Sequence, residues 1–253
     1  MSTIYDAPKY YDLAFSWRNI AHEADVLEAC AARFMEAKPK RFLELACGNA
    51  PYLEELARRG YTYTGLDLSD AMLEFSREKA AAADIDATFI RGDMCDFKLD
   101  APADFAFMLL GSLYVADTAQ LMRHFACMVE ALRPGGLYFL DWVVDFEPLT
   151  DFVETWDMER DGVSITATVA TRRLELVDQI LEEHVTLEVN DNGVEHTFED
   201  RRRKRAIYPQ EFLLLAEMLP GFTFAGWWNS WDLNQPMESA TAVHRPIALL
   251  QRV

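Results

Sequence analysis

Over the first 142 residues, short apolar runs alternate with segments whose apolar positions recur every three or four residues. The runs read as buried strands and the segments as helices with one buried stripe. "RFLELA" (41–46) is predicted as a strand, "PYLEELARRG" (51–60) as a helix with Pro51 in its first turn and Gly60 at its stop, and "YTGLDL" (63–68) as a second strand. "SDAMLEFSREKAAA" opens on a Ser/Asp cap and continues as a helix. "ATFIRGD" (87–93) and "ADFAFMLL" (103–110) are further strands, followed by the helix "TAQLMRHFACMVEAL" and an "RPGG" turn into "LYFLDWVV" (137–144). Strands joined by helical crossovers lie parallel, so the pattern predicts an α/β fold built on a doubly wound sheet covered on both faces.

After about residue 145 the rhythm changes. "SITATVATRRLELVDQILEEHVTLEVNDNGVEHTFEDRRRKRAIY" alternates polar and apolar residues around a turn at Asn190-Asp191-Asn192-Gly193, the pattern of antiparallel ribbons with one wetted face. Helical spacing returns in "PQEFLLLAEML" (209–219), and "GFTFAGWW" and "RPIALLQRV" read as closing strands. The chain therefore divides into an N-terminal arm and helix (1–39), an α/β core (40–144 and 207–253) and an antiparallel β insert (145–206). An exposed apolar ribbon would aggregate, so the insert's apolar face must cover either the strand-end cleft or a second copy of the chain, which would make a homodimer.

Composition narrows the functions. With 253 residues, 51% of them apolar, the chain can bury a full core. A net charge of −18 repels a phosphate backbone, and the only dense basic run, Arg201 to Arg205, is short and follows Glu199-Asp200, so nucleic acid is not an expected partner. That run reads as a solvated strand face. Cys30, Cys47, Cys95 and Cys127 form no paired ligand motif, which predicts neither a metal site nor a disulfide framework and fits a reducing cytoplasm. The longest apolar stretch is too short to span a bilayer, and no signal-peptide pattern opens the chain.

In an open parallel sheet, ligands bind beyond the carboxyl ends of the strands, where the first strand-to-helix turn lets backbone approach them closely. Gly48 sits at that turn. Glu44 lies inside the preceding strand, Asp67 ends the second strand 19 residues beyond Gly48, and Asp93 ends the third. A strand-end acid at this distance can accept hydrogen bonds from ribose hydroxyls. With no phosphate-binding lysine and no G-x-G-x-x-G, the site is predicted to take a nucleoside without phosphates.

"ELACGNAPYLEELARRG", "GLDLSDAMLEFSREK", "FIRGDMCDF" and "LRPGGLYF", in this order and spacing, resemble the class I S-adenosylmethionine-dependent methyltransferases over roughly residues 40–142. The N-terminal "YYDLAFSW" and the β-rich insert resemble the branch that methylates small molecules, including glycine and aminosugar N-methyltransferases. The resemblance implies a Rossmann-like seven-stranded sheet with the β insert after its fifth strand, and S-adenosyl-L-methionine as cofactor. It places the backbone of Ala46, Cys47, Gly48 and Asn49 along the methionine part, with Glu44 in the same site, and Asp67 on the ribose hydroxyls. It puts Asp93 and Met94 at the adenine edge, Leu68 and Met72 over the ring, and Leu110 and Gly111 beside the sulfonium. Tyr11, Trp17 and Arg18 close over the site, Arg18 as partner of the methionine carboxylate. The insert becomes an acceptor lid or dimer contact. One departure stands out: the family's three glycine positions are Ala46, Gly48 and Ala50 here. Alanine before Pro51 costs free energy if it must take positive φ, so either the turn has negative φ there or cofactor affinity falls.

Methyl transfer from a sulfonium needs mainly a nucleophile held in line and water kept out. An amine can react without a strong base. A hydroxyl would need one, and His124, His184, His196 and His244 show no recognisable partner, so no catalytic residue is assigned and the pattern favours a small-molecule amine acceptor over O-methylation. A nicotinamide-dependent oxidoreductase and a non-catalytic nucleoside-binding protein are the alternatives from other classes.

Overall fold

The computed structural model describes residues 3–148 and 150–253. An arm of a 3-10 turn (Ile4–Asp6) and helix α1 (Pro8–Ala14) leads into α2 (Ile20–Phe34). The core then runs β1 (Arg41–Leu45), α3 (Leu53–Arg58), β2 (Thr62–Asp67), α4 (Asp70–Ala82), β3 (Ala87–Arg91), β4 (Ala103–Met108), α5 (Thr118–Ala131) and β5 (Leu132–Asp141). Four strands follow, β6 (Phe152–Arg160), β7 (Val163–Glu175), β8 (Ile180–Asp191) and β9 (Val194–Arg205), before α6 (Pro209–Met218), β10 (Phe222–Trp228) and β11 (Ile247–Arg252) close the chain.

Seven strands form one sheet in the order β10-β11-β5-β4-β1-β2-β3, with β11 antiparallel to both neighbours and β1 to β5 parallel. All six residues of β4 are buried, as a central parallel strand covered on both faces requires. One core packs Leu43, Met108 and Tyr138 against α5 and α6, and the other packs Phe42, Phe107 and Phe139 against α2 and α3. Helix starts follow the side chains able to cap them. Ser69 accepts from the Met72 N–H, Asp117 from the Gln120 N–H, and Asn19 from the His22 N–H.

Two local expectations differ from the structure. The helix read over 51–60 spans only Leu53–Arg58, because the chain is still turning at Ala50, whose φ is 46°. The "RPGG" segment is already strand: β5 starts at Leu132, and its register against β4 shifts between Ala103 and Phe105.

The insert is a second, four-stranded antiparallel sheet in the order β6-β7-β8-β9. Its tight turns fall at Asp161-Gly162 and Asn192-Gly193, where all four residues have positive φ, the geometry that matches the twist of paired strands. The sheet's apolar face, with Ile165, Ala167, Val185, Leu187 and Val189, is covered by Ile4, Ala7, Tyr10, Leu13 and Ala14 of the arm. Polar ties fix this contact. The Tyr10 hydroxyl donates to Asp191 at 2.8 Å, and Trp156 Nε1 donates to the Ala14 carbonyl at 2.7 Å. Arm and insert thus form a single layer, which reaches the core where Asn49 Nδ2 donates to Asp12 at 2.8 Å.

Candidate active site

At the carboxyl ends of β1 and β2 the backbone reverses sharply. Ala46, Gly48 and Ala50 all have positive φ, at 51°, 51° and 46°. The two alanines hold a conformation that glycine would adopt without steric cost, which settles the turn geometry in favour of the left-handed alternative. The turn is held from outside: Ser76 Oγ donates to the Gly48 carbonyl at 2.9 Å and Lys79 Nζ to the Ala50 carbonyl at 3.3 Å. Asp67 holds it from within. One carboxylate oxygen accepts from the Gly48 N–H at 2.8 Å and the other from the Ser69 N–H at 2.9 Å.

A cleft opens over this turn. Of the residues singled out in the sequence, Tyr11, Ala46, Gly48, Asp67, Leu68 and Met94 line it together. Tyr5, Ser112, Tyr114 and Arg202 complete the opposite wall and were not singled out as site residues. Gly48 suits such a place by its φ of 51°; a β-carbon there would meet the Tyr11 ring only at an ordinary contact distance of 3.9 Å. Arg202 lies over the rings of Tyr5 at 4.3 Å and Tyr114 at 5.0 Å, and the Tyr114 hydroxyl donates to Glu183. Burial raises the phenols of Tyr5, Tyr11 and Tyr114, so all three stay protonated.

The remaining residues stand around this cleft. Glu44 is buried beneath it, accepting from the Tyr63 hydroxyl, and burial pushes its carboxyl up to about 8 against the pull of Tyr63, Arg18 and Lys79. Met72 is fully buried, Asp93 is exposed and accepts from the Cys95 N–H at 2.8 Å, and Asn49 uses its side chain on the arm. Leu110 and Gly111 both have positive φ, and Asp141 pins them by accepting the Leu110 N–H on its side chain at 3.0 Å and the Gly111 N–H on its carbonyl at 2.9 Å. Arg18 donates to Glu23 and to the Tyr52 hydroxyl, and its side chain is buried, so an arriving carboxylate would have to share it. Trp17 is exposed beside Arg245 and is not one of the residues lining the cleft. Arg245 is the hub of a buried charge cluster: it pairs with Glu23 and Asp141 and stacks on Trp231 at 4.3 Å.

His124 supports the cleft floor from α5. Its Nδ1 is 3.0 Å from the Met94 carbonyl and its Nε2 2.8 Å from the Tyr138 hydroxyl, which fits a neutral ring donating through Nδ1. Burial lowers its pKa to about 4 from 6.5, while the Met94 bond and Asp93 pull upward. The unfolded chain therefore takes up this proton first, and stability falls as pH drops from 6.5 towards 4, by about 3 kcal/mol in all. Urea unfolding is expected to show that fall in the parent and a flatter profile in His124→Gln. Parallel profiles would mean His124 does not titrate as described.

The donors fit a nucleoside cofactor. Asp67 faces the cleft with two oxygens, each already ordered by one backbone bond and able to accept another, and no β-carbon intrudes at Gly48. Residues 42–136 match the family described as a methyltransferase domain. The chain carries a class I S-adenosylmethionine-dependent methyltransferase domain. This methyltransferase is similar to dTDP-3-amino-3,4,6-trideoxy-alpha-D-glucopyranose N,N-dimethyltransferase of Streptomyces venezuelae, 29% identical over 196 residues, 76% of this chain and 80% of that protein. Its fold is similar to Streptomyces venezuelae DesVI, with TM-score 0.79 and 23% identity over 97% of this chain and 98% of that one. It also resembles SAM-bound CalS10, an amino pentose methyltransferase from Micromonospora echinaspora, with TM-score 0.73 and 20% identity over 100% and 98% of the two chains. Among the described residues of the methyltransferase, no helix is long and apolar enough to cross a membrane.

Proposed function

We propose that the enzyme N-methylates a small-molecule amine, and that the acceptor is an amino sugar joined to a nucleotide. The observation that carries this reading is the two-sided cleft. One wall is the turn of Gly48 and Asp67, and the other brings Tyr114 and Arg202 from outside the sheet's first three strands. The similarity to a dTDP-aminosugar N,N-dimethyltransferase over 76% of the chain supports the acceptor class.

When bound, the cofactor supplies an electrophilic methyl group on a sulfonium. Asp67 and the Gly48 turn would hold its nucleoside part, with Met94 and Leu68 beside the base. Tyr5 and Tyr11 of the arm keep water from the cleft. An amine must reach the methyl group without its extra proton, and the carboxylate of Glu183, held by the hydroxyl of the cleft residue Tyr114, would accept it. His124 is occupied by Met94 and Tyr138, and His184 lies on the outer face against Glu199, at 3.3 Å. Neither takes part in this reading, which sets a primary or secondary amine ahead of a hydroxyl.

The same reading places the enzyme in the cytoplasm, where its four free thiols would remain reduced. It also makes the exposed Phe152 and Val153 on edge strand β6 the contact of a homodimer.

The test is incubation with S-adenosylmethionine and a dTDP-linked 3-amino sugar, followed by mass spectrometry of the acceptor. One or two methyl additions are expected on the amino sugar and none on its 3-hydroxy counterpart. Methylation of the hydroxy sugar alone would overturn the amine assignment.

A further inference from the structure

The basic run of β9 divides by strand parity. Arg201 and Arg203 are exposed, whereas Arg202 and Lys204 turn towards the core. Lys204 is 93% buried, being only 7% exposed. Its ammonium lies over the end of β4, 2.8 Å from the point where a β-carbon on Gly111 would stand. Among the described residues nothing accepts a hydrogen bond from it or forms an ion pair with it. Its electrostatic neighbour is Asp145, which is itself tied to the Ile207 N–H. Arg202, two residues away on the same face, gives its Nε to Asp200 at 2.7 Å and leaves its two terminal amino groups without a described acceptor.

The side chain is buried but its ammonium is not sealed off: among the described residues Gln179 Oε1 is the one fully buried side-chain polar atom without a partner, so the Lys204 Nζ keeps an opening through which an acceptor can reach it. Here the cation, with Asp145 as its electrostatic neighbour, stands at Gly111, next in sequence to Ser112 of the cleft lining, in a protein whose net charge is −18. An arriving oxyanion would satisfy both groups at once, as the strongest acceptor for ammonium and guanidinium donors. Gly111 makes room for the ammonium itself: a β-carbon there would stand 2.8 Å from it and 2.9 Å from the Trp142 carbonyl.

We propose that Lys204 and Arg202 form a subsite for an oxyanion carried by the acceptor, a phosphate or a carboxylate. The inference rests on reading this cleft as the acceptor pocket, and it deepens that reading by requiring an amine and an anion in one molecule. Glu183, opposite Arg202 across the β8–β9 pair, then stands at the amine side and Lys204 at the anion side.

Calorimetry on the full chain saturated with S-adenosylhomocysteine tests this, with inorganic pyrophosphate and malonate as the two probes. One of them is expected to bind the parent, and which one binds separates phosphate from carboxylate. Lys204→Met should weaken that probe about 10- to 100-fold, the range for a hydrogen bond to a charged group, while S-adenosylhomocysteine binds as before and reports an intact fold. Lys204→Arg, which keeps the charge, should retain most of the binding. If neither probe binds the parent, or Lys204→Met binds it as the parent does, the subsite is overturned. The methylation assay stands apart. Amine transfer with equal efficiency to sugars with and without the nucleotide would remove the subsite and leave the amine reading, whereas probe binding without transfer to any amine would do the reverse.

Discussion

Arg245→Ala is expected to lower folding stability by about 3–5 kcal/mol, the range for removing one partner of a buried ion pair. The cost arises because Asp141 is fully buried and would lose its bidentate partner, in which Nε and Nη2 stand 3.1 and 3.0 Å from its two oxygens. Glu23 would keep only Arg18 and Tyr52. The effect should reach the active site as well. Asp141 is the acceptor that pins Leu110 and Gly111, so a carboxylate left to find new partners would release the turn at the end of β4. Urea unfolding measures the first consequence and acceptor KM the second. Arg245→Lys keeps a charge but not the fork, and should fall between parent and alanine. A loss below about 1 kcal/mol in the alanine variant would mean that water or a rearranged side chain replaces the guanidinium, and that the cluster is not held as tightly as its geometry implies.

Asp67→Ala is expected to weaken S-adenosylhomocysteine binding by about 1.5–3 kcal/mol, from lost hydrogen bonds to a charged group. Two effects act in the same direction. The carboxylate itself would no longer meet the ribose hydroxyls, and the Gly48 N–H would lose the acceptor that holds a strained turn in place. Asp67→Asn separates them, since an amide oxygen can still accept from Gly48 while the charge is gone; it should recover part of the loss. Unchanged affinity in a folded Asp67→Ala protein would take this residue out of the nucleoside site.

Much of this architecture is written locally in the chain. The five parallel strands and their helices are short-range features, each set by period and caps, and Ser69 caps its helix as the sequence leads one to expect. The turn at Asn192-Gly193 is also local, and it sets more than a change of direction. A two-residue turn fixes the pairing of the strands it joins, so Glu183 must oppose Arg202 and Leu181 must oppose Lys204. Leu181, Glu183, Val185 and Leu187 share one parity, and the three apolar ones are buried, which puts Lys204 and Arg202, opposite Leu181 and Glu183, on the covered side. The reading of the basic run as a solvated face therefore holds for Arg201 and Arg203 and fails for the other two. What the sequence does not display are contacts between distant segments. Nothing near Arg245 announces Glu23, 222 residues away, and nothing in "YYDLAFSW" says that its helix lies on the insert. The resemblance pairs Arg18 with the cofactor, whereas Glu23 and Tyr52, 5 and 34 residues away, hold it in the fold.

The direction of the last strand bears on how the protein should be handled. β11 runs against its parallel neighbours, so residue 253 emerges at the edge of the sheet opposite the cleft. The amino-terminal arm lies differently, since its Tyr5 itself lines the cleft. An affinity tag or reporter fused ahead of the chain would compete with ligands for the entrance and pull on the arm that closes it. The same fusion behind residue 253 would hang clear of the chemistry, making the carboxyl end the position for immobilisation and for any label meant to leave turnover undisturbed.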